Sequence, residues 1–241
     1  MNMTRETSTT IDGLPQMEGS VIKTILQNVA DVAELHAVLT SPRHRYCRRR
    51  FLQALRTAMT IEQIESLRKD IGVEEYERHI HKLVAHRLVE PELSEGELTG
   101  YVRTALGEHA INAVSELERK IGRERADSIT EAGLGPNSIK LFLTIFGNDK
   151  EPDLTSREIV YTPLEIGQLI RSFSRSVEGI AAIDKLDDAG LISYLEDGGV
   201  HVNPRRSPAF YHYLRNLYYL QVRARESGGG RWHTHSENSW R

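Results

Sequence analysis

The sequence predicts a mainly α-helical chain with small β-hairpins, arranged as two related halves. Three observations carry this. Helix-start signals recur: Thr60-Ile61-Glu62-Gln63 and Thr162-Pro163-Leu164-Glu165 each place a Thr cap three residues before a Gln or Glu able to return a bond to the cap amide. Each signal is followed by a second helix that ends on an apolar pair, Leu88-Val89 in one half and Leu191-Ile192 in the other. The halves also keep step, because Ile80, Lys82, Leu83, Leu88 and Val89 stand 103 residues before Ile183, Lys185, Leu186, Leu191 and Ile192.

In chain order, residues 1–18 are rich in Thr, Ser and Gly and are read as a disordered N-terminus. Val21 to Leu39 has apolar residues at steps of three or four and is predicted as one helix. Ser41-Pro42 opens the next, Arg43 to Thr57, with Tyr46, Phe51, Leu52 and Leu55 as its apolar content. The capping box at Thr60 starts a helix carrying Ile64 and Leu67. After Gly72 a longer helix runs from Val73 to Arg87, with Tyr76, Ile80, Leu83 and Val84 inward. Residues 91–100 form an acidic connection, and Tyr101-Val102-Arg103 is a candidate return strand. Thr104 caps a helix running to about Ala126.

Leu134-Gly135-Pro136 marks the boundary between halves, giving domains at 19–130 and 134–226. Ser138 to Phe146 is a strongly apolar helix, and residues 148–159 form a polar loop. The helix opened at Thr162 carries Ile166, Leu169 and Ile170. After the polar turn 171–176, a second helix has Val177, Ile180, Ile183 and Leu186 as its buried stripe. Gly190 sits where a left-handed C-cap is favoured. Residues 191–195 and 200–202 flank Glu196-Asp197-Gly198-Gly199 as a hairpin. A last helix follows Ser207-Pro208, and residues 227–241 are read as a disordered tail. Helix, helix and hairpin in this order describe a winged helix-turn-helix, so the fold class expected is mainly α with small β-hairpin wings, in two such domains.

Composition is that of an ordinary globular protein, 39% hydrophobic and 27% charged, with a formal charge of −3 that neither demands nor forbids a polyanionic partner. No apolar run nears the roughly 20 residues needed to span a bilayer, and residues 1–10 lack a signal-peptide core. The single cysteine, Cys47, fits a reducing, cytoplasmic compartment. No catalytic constellation or phosphate-cradling Gly loop is present, and neither enzymatic activity nor a cofactor is expected. His79, His81 and His86 hold spacing used by some metal sites, but only His79 and His86 share a helix face; no metal is expected.

Residues 43–121 and 138–225 resemble two winged helix-turn-helix domains of ArsR- and MarR-like transcriptional regulators. Thr104-Ala105-Leu106-Gly107-Glu108 resembles the Thr-x-x-Gly step at which those families leave the wing for a dimerisation helix. The run from Ile183 to Ile192 resembles their recognition-helix exit, and the overall texture is similar to haloarchaeal regulators. The resemblance implies sequence-specific binding of double-stranded DNA and association with a second copy of the chain as a homodimer. Any small-molecule effector is unknown.

A winged helix reads the major groove with the N-terminal half of its second helix, backed by phosphate contacts. In the first half that segment is Val73-Glu74-Glu75-Tyr76-Glu77, which opposes a polyanion. The second half offers Arg171, Ser174, Arg175 and Ser176 before and at its helix start, with Glu178 beside Ser176 as a base-facing position and Arg205 and Arg206 beyond the wing. Arg45, Arg48 and Arg49 on the first domain's arginine-dense helix complete the candidate DNA contacts. Tyr211, Leu214, Tyr218, Tyr219 and Val222 on the last helix are the candidate dimer or interdomain interface. Two other readings fit the same residues: a protein-interaction module in a chromosome-organising or multi-subunit assembly, and a replication initiator of a mobile element.

Overall fold

In the computed structural model, the described residues are 21–40, 45–71, 76–147, 159–173 and 175–226. The disordered termini expected at 1–18 and 227–241, the acidic start at 72–75, most of the 148–159 loop and Ser174 lie outside them. The chain is mainly helical, with two small three-stranded antiparallel sheets.

The helix expected over 21–39 is two helices, α1 (Val21–Gln27) and α2 (Val29–Thr40). They part at Asn28, whose side-chain amide donates to the Thr24 carbonyl at 2.9 Å, a local bond that competes with the helix ladder. Then come α3 (Arg45–Ala54), β1 (Met59–Thr60), α4 (Ile61–Ile71), α5 (Tyr76–Ala85), β2 (Val89–Ser94) and β3 (Glu97–Arg103). The expected acidic connection is thus a regular hairpin. Its two-residue turn holds Glu95 and Gly96 at φ 54° and 87°, the double left-handed geometry of tight hairpins. Glu95 is an unusual residue for that position, so the turn signal was weak.

The helix expected from Thr104 to Ala126 is also broken. Thr104 caps α6 (Ala105–Ile121) by accepting from the Gly107 amide, and Gly122, at φ 85°, ends it before α7 (Arg123–Glu131). The second half follows as α8 (Pro136–Gly147), β4 (Val160–Tyr161), α9 (Pro163–Arg171), α10 (Ser176–Asp188), β5 (Ile192–Tyr194), β6 (Val200–Val202) and α11 (Arg206–Glu226).

Both halves therefore read helix, strand, helix, helix, strand, strand. Both sheets have the same order, the first strand pairing with the third and the third with the second: β1-β3-β2 and β4-β6-β5. The short first strands β1 and β4 had no sequence signal, being two residues each. Glycines opposite them leave room for the pairing: a Cβ on Gly100 would lie 2.2 Å from the Met59 carbonyl oxygen, and one on Gly199 would lie 2.7 Å from that of Tyr161. The pairs aligned from sequence keep equivalent places, Ile80 with Ile183, Leu83 with Leu186, Leu88 with Leu191 and Val89 with Ile192, all buried.

One continuous core joins the halves. Its centre is α11, which packs along α6 and against α2. Tyr211, Leu214 and Tyr218 are buried, and Tyr219 and Val222 are half-buried against the same core. The face expected to serve a dimer or an interdomain contact is thus taken up inside one chain. Phe210 meets Phe142 edge-on at 5.1 Å, and His36 of α2 meets Phe210 and Tyr213 at 5.9 and 5.7 Å, so aromatic rings tie α2, α8 and α11 together.

The buried stripe expected on α10 is corrected. Ile183 and Leu186 are buried, together with Gly179 and Ala182, but Val177 is 75% exposed and Ile180 49% exposed. Steps of three fall about 60° short of a full turn, so three such steps carry Val177 to the side opposite Leu186.

Candidate nucleic-acid interface

Two helix pairs, α4 with α5 and α9 with α10, each lead into a hairpin. The second pair is locally well specified. Thr162 and Glu165 form a reciprocal capping box: the Thr162 amide donates to Glu165 Oε2 at 2.8 Å and the Glu165 amide to Thr162 Oγ1 at 3.4 Å, with Pro163 at the first helical position. The bonds from Thr162 hold the Glu165 carboxyl below its usual range. Between α9 and α10, Phe173 lies under the Lys140 ammonium at 5.5 Å.

Around that turn Arg171, Ser172, Arg175 and Ser176 are exposed, as is Arg205 beyond the hairpin. Arg171 uses its Nε to donate to the Gly167 carbonyl at 3.0 Å, leaving the end of its guanidinium outward. Glu178 is half-buried and accepts from Asn137 at 3.4 Å, so it is drawn toward α8 rather than presented to a groove. Ser174 lies outside the described residues.

Three expected phosphate contacts are internal instead. Arg48, 8% exposed, donates to the Val38 carbonyl of α2 at 3.2 Å. Arg49 makes a two-pronged pair with Glu118 of α6, one arm at 2.8 Å, and the carboxylate raises the guanidinium pKa further. Arg206 folds beneath Gly190 and donates to the Ala189 carbonyl at 3.2 Å, closing the C-terminus of α10. The arginine-dense helix packs against three other helices, α2, α5 and α6, and burial selects arginines able to satisfy carbonyl and carboxylate groups there. The side chain of Arg45 is outside the described residues.

The first pair carries cations that sequence reading passed over. Tyr76, His79, Ile80 and Leu83 bury one face of α5, while Glu77, Arg78, His81, Lys82 and Ala85 line the opposite, exposed face. Arg78 and Lys82 stand one turn apart on it. Their spacing opposite Ile80 and Leu83 is a signal in the sequence, offset there by the three carboxylates of Glu74, Glu75 and Glu77. The three histidines diverge: His79 is buried, His81 exposed, and His86 lies 3.5 Å from Glu34.

Both hairpins are acidic where they project. Glu90, Glu95 and Glu97 are exposed on the first, and Glu196 and Asp197 on the second. On α10 the exposed face runs from Val177 and Ile180 to Asp184, which accepts from the Tyr194 hydroxyl at 3.0 Å. Burial first, and then this bond, push the Tyr194 phenol up to about 12. The two second helices therefore differ in chemistry, cationic in α5 and apolar then acidic in α10.

No family model, no curated protein and no solved structure matches the chain.

Proposed function

We propose that the chain is a DNA-binding transcriptional regulator built from two winged helix-turn-helix domains, with α5 as its groove-reading helix. The observation that carries this reading is the recurrence, within one chain, of helix–strand–helix–helix–strand–strand with the same sheet order in each half. In that arrangement the second helix of each pair runs directly into the hairpin, as a reading helix runs into its wing. Arg78, His81 and Lys82 give α5 donors for base edges and phosphates. Arg171 and Arg205 add phosphate contacts from the second domain. The acidic hairpins hold the wings away from the backbone, so the helix carries the contact.

The test is duplex binding followed by anisotropy at two salt concentrations. The wild-type chain binds duplex at low salt, and Arg78→Ala with Lys82→Ala weakens it. A chain that ignores duplex DNA at about 50 mM salt, where each neutralised phosphate counts most, would end this reading.

A second reading, a protein-interaction module, is favoured by one specific observation: α10 exposes Val177 and Ile180 rather than polar groups. Co-purification with a defined partner, lost when these two become Ser while duplex binding persists, separates the two readings.

A further inference from the structure

The inner face of the first hairpin runs on past the core. Val89, Pro91 and Leu93 alternate onto that face of β2, opposite Arg103, Tyr101 and Leu98 of β3. Val89 is buried and Tyr101 half-buried, but Leu93 is 61% and Leu98 45% exposed, side by side near the turn. Four carboxylates flank this pair: Glu90 and Glu92 on the opposite face, Glu95 in the turn and Glu97 next to Leu98. No lysine or arginine stands between Arg87 and Arg103. Among the described residues no cation pairs with any of the four. That charge turns away nucleic acid and anionic lipid, and it favours a cover that is both apolar and cationic. The sheet order makes β2 a free edge, so a long side chain lying over Leu93 can pass it to reach Glu90 and Glu92. Pro91 takes an amide hydrogen out of that edge, so the cover lies on the face rather than as an added strand.

We infer that residues 231–241 of the same chain bind this hairpin, with a tryptophan over Leu93 and Leu98 and the neighbouring arginines on its carboxylates. Residues 227–241 follow α11, outside the described residues, and their sequence supplies the chemistry the hairpin lacks. They hold both tryptophans of the chain, each beside an arginine, as Arg231-Trp232 and Trp240-Arg241, against one acidic residue, Glu237. An indole gives the apolar area, and an arginine beside it gives the charge. Position agrees. The Arg87 guanidinium, at the root of the hairpin, donates to the Ala224 carbonyl in the last turn of α11. From Arg87 to Leu93 is about 20 Å along a strand, and the chain from Ala224 to Trp232 can span up to about 28 Å. The second hairpin is acidic too, but it leads into the start of α11, about 30 Å from the end where the tail begins. The first hairpin issues directly from α5, so the bound tail lies beside the helix assigned to DNA. The docking itself needs no DNA, so the two ideas fail separately.

The experiment reads the tryptophan emission of the full chain without nucleic acid, which comes from Trp232 and Trp240 alone. The expected result is emission to the blue of the urea-unfolded chain, unchanged on dilution. Leu93→Ser with Leu98→Ser shifts it to the red and raises quenching by acrylamide. Far-ultraviolet circular dichroism is unchanged in that variant, since both leucines are exposed. Glu95→Lys with Glu97→Lys, which keeps the leucines, also shifts the emission to the red. Adding Arg231→Glu and Arg241→Glu to that variant brings it back to the blue. Emission already at the unfolded position, which leaves the leucine pair to a partner protein, overturns the inference. So does emission that ignores the leucine variant, a charge exchange that restores nothing, or a blue shift that fades on dilution and so belongs to the tail of another copy.

Discussion

Arg87 and Gly190 occupy the same place in the two halves, 103 positions apart, and both are left-handed, at φ 57° and 63°. Each ends the second helix of its pair with the same bonds. Arg87 and Gly190 donate to Val84 and Asp187 at 2.8 and 2.7 Å, and the next residues, Leu88 and Leu191, donate to Leu83 and Leu186 at 2.9 and 3.0 Å. The motif turns the chain from helix into hairpin, and it is conserved as geometry although one copy lacks glycine. In the first half the side chain offsets the strain, because the Arg87 guanidinium donates to the Ala224 carbonyl of α11.

Substitution should therefore act unequally at the two places. Gly190→Ala meets both the left-handed penalty and the Arg206 guanidinium, 1.9 Å from where a Cβ would sit. It is expected to cost at least about 1–2 kcal/mol and lower the melting temperature by several degrees. Arg87→Gly gains relief of similar size while losing a charge-assisted bond, so its net change should stay within about 1 kcal/mol. Urea denaturation of both variants decides this; a Gly190→Ala chain as stable as wild type would show that the cap geometry is not limiting.

Much of this arrangement was legible beforehand. The capping box at Thr162, the apolar exits Leu88-Val89 and Leu191-Ile192 and the 103-residue register all come from patterns a helix cap or a buried face enforces locally. What was not legible depended on tertiary context. The Glu95-Gly96 turn lacks the residues that announce a tight hairpin, and two-residue strands carry no periodicity. The direction of an arginine is set by what packs against it: nothing local distinguishes Arg48 and Arg49, which turn inward, from Arg171, which stays out. The stripe drawn through Val177 and Ile180 failed because three-residue steps drift around a helix, and only Gly179 and Ala182 mark the true contact line.

The inward turn of Arg49 makes a prediction that separates fold from interface. Its two-armed pair with Glu118 is partly shielded, the side chains being 30% and 21% exposed. Arg49→Ala should destabilise the chain by roughly 1.5–3 kcal/mol. Glu118→Ala should do the same, and the double variant should cost less than the sum, the mark of a direct pair. Duplex affinity, measured well below the melting temperature, should be unchanged in both single variants. A drop in affinity without a drop in stability would return Arg49 to the DNA surface.

On the proposed reading, cations on α5 and cations of the second domain differ in what they report. Arg78→Ala with Lys82→Ala should flatten the plot of log affinity against log salt by up to about two units and narrow the gap between preferred and random duplexes. Arg171→Ala with Arg205→Ala should lower affinity for all duplexes alike, with no change in that gap. Anisotropy titrations with a selected and a scrambled duplex at several salt concentrations read both quantities together. Equal loss of preference in the two variants would remove the distinction between reading helix and supporting arginines.

The buried histidine at the aromatic junction gives a pH prediction. His36 is 1% exposed and shares hydrogen bonds with the Tyr213 hydroxyl at 3.2 Å and with Thr40, while Phe210 closes one side. Burial alone lowers its pKa from 6.5 to about 4, because the charged imidazolium would lose its hydration without gaining an anion. Above pH 6.5 the ring is neutral in both folded and unfolded chains and adds no pH dependence. As pH falls from 6.5 toward 4 the unfolded chain takes up the proton first, so stability declines across that window by up to roughly 3 kcal/mol and then levels as the folded form protonates too. The pKa of His86 is lowered as well, chiefly by burial, and adds loss of the same sign. His36→Gln, which can still bond to Tyr213, removes only the His36 part. The gap in unfolding free energy between wild type and this variant should therefore shift in favour of the variant as pH falls from 6.5 to 4. Parallel profiles from urea titrations across that range would mean that the ring is hydrated in the folded chain, and that the aromatic junction of α2, α8 and α11 is open to water.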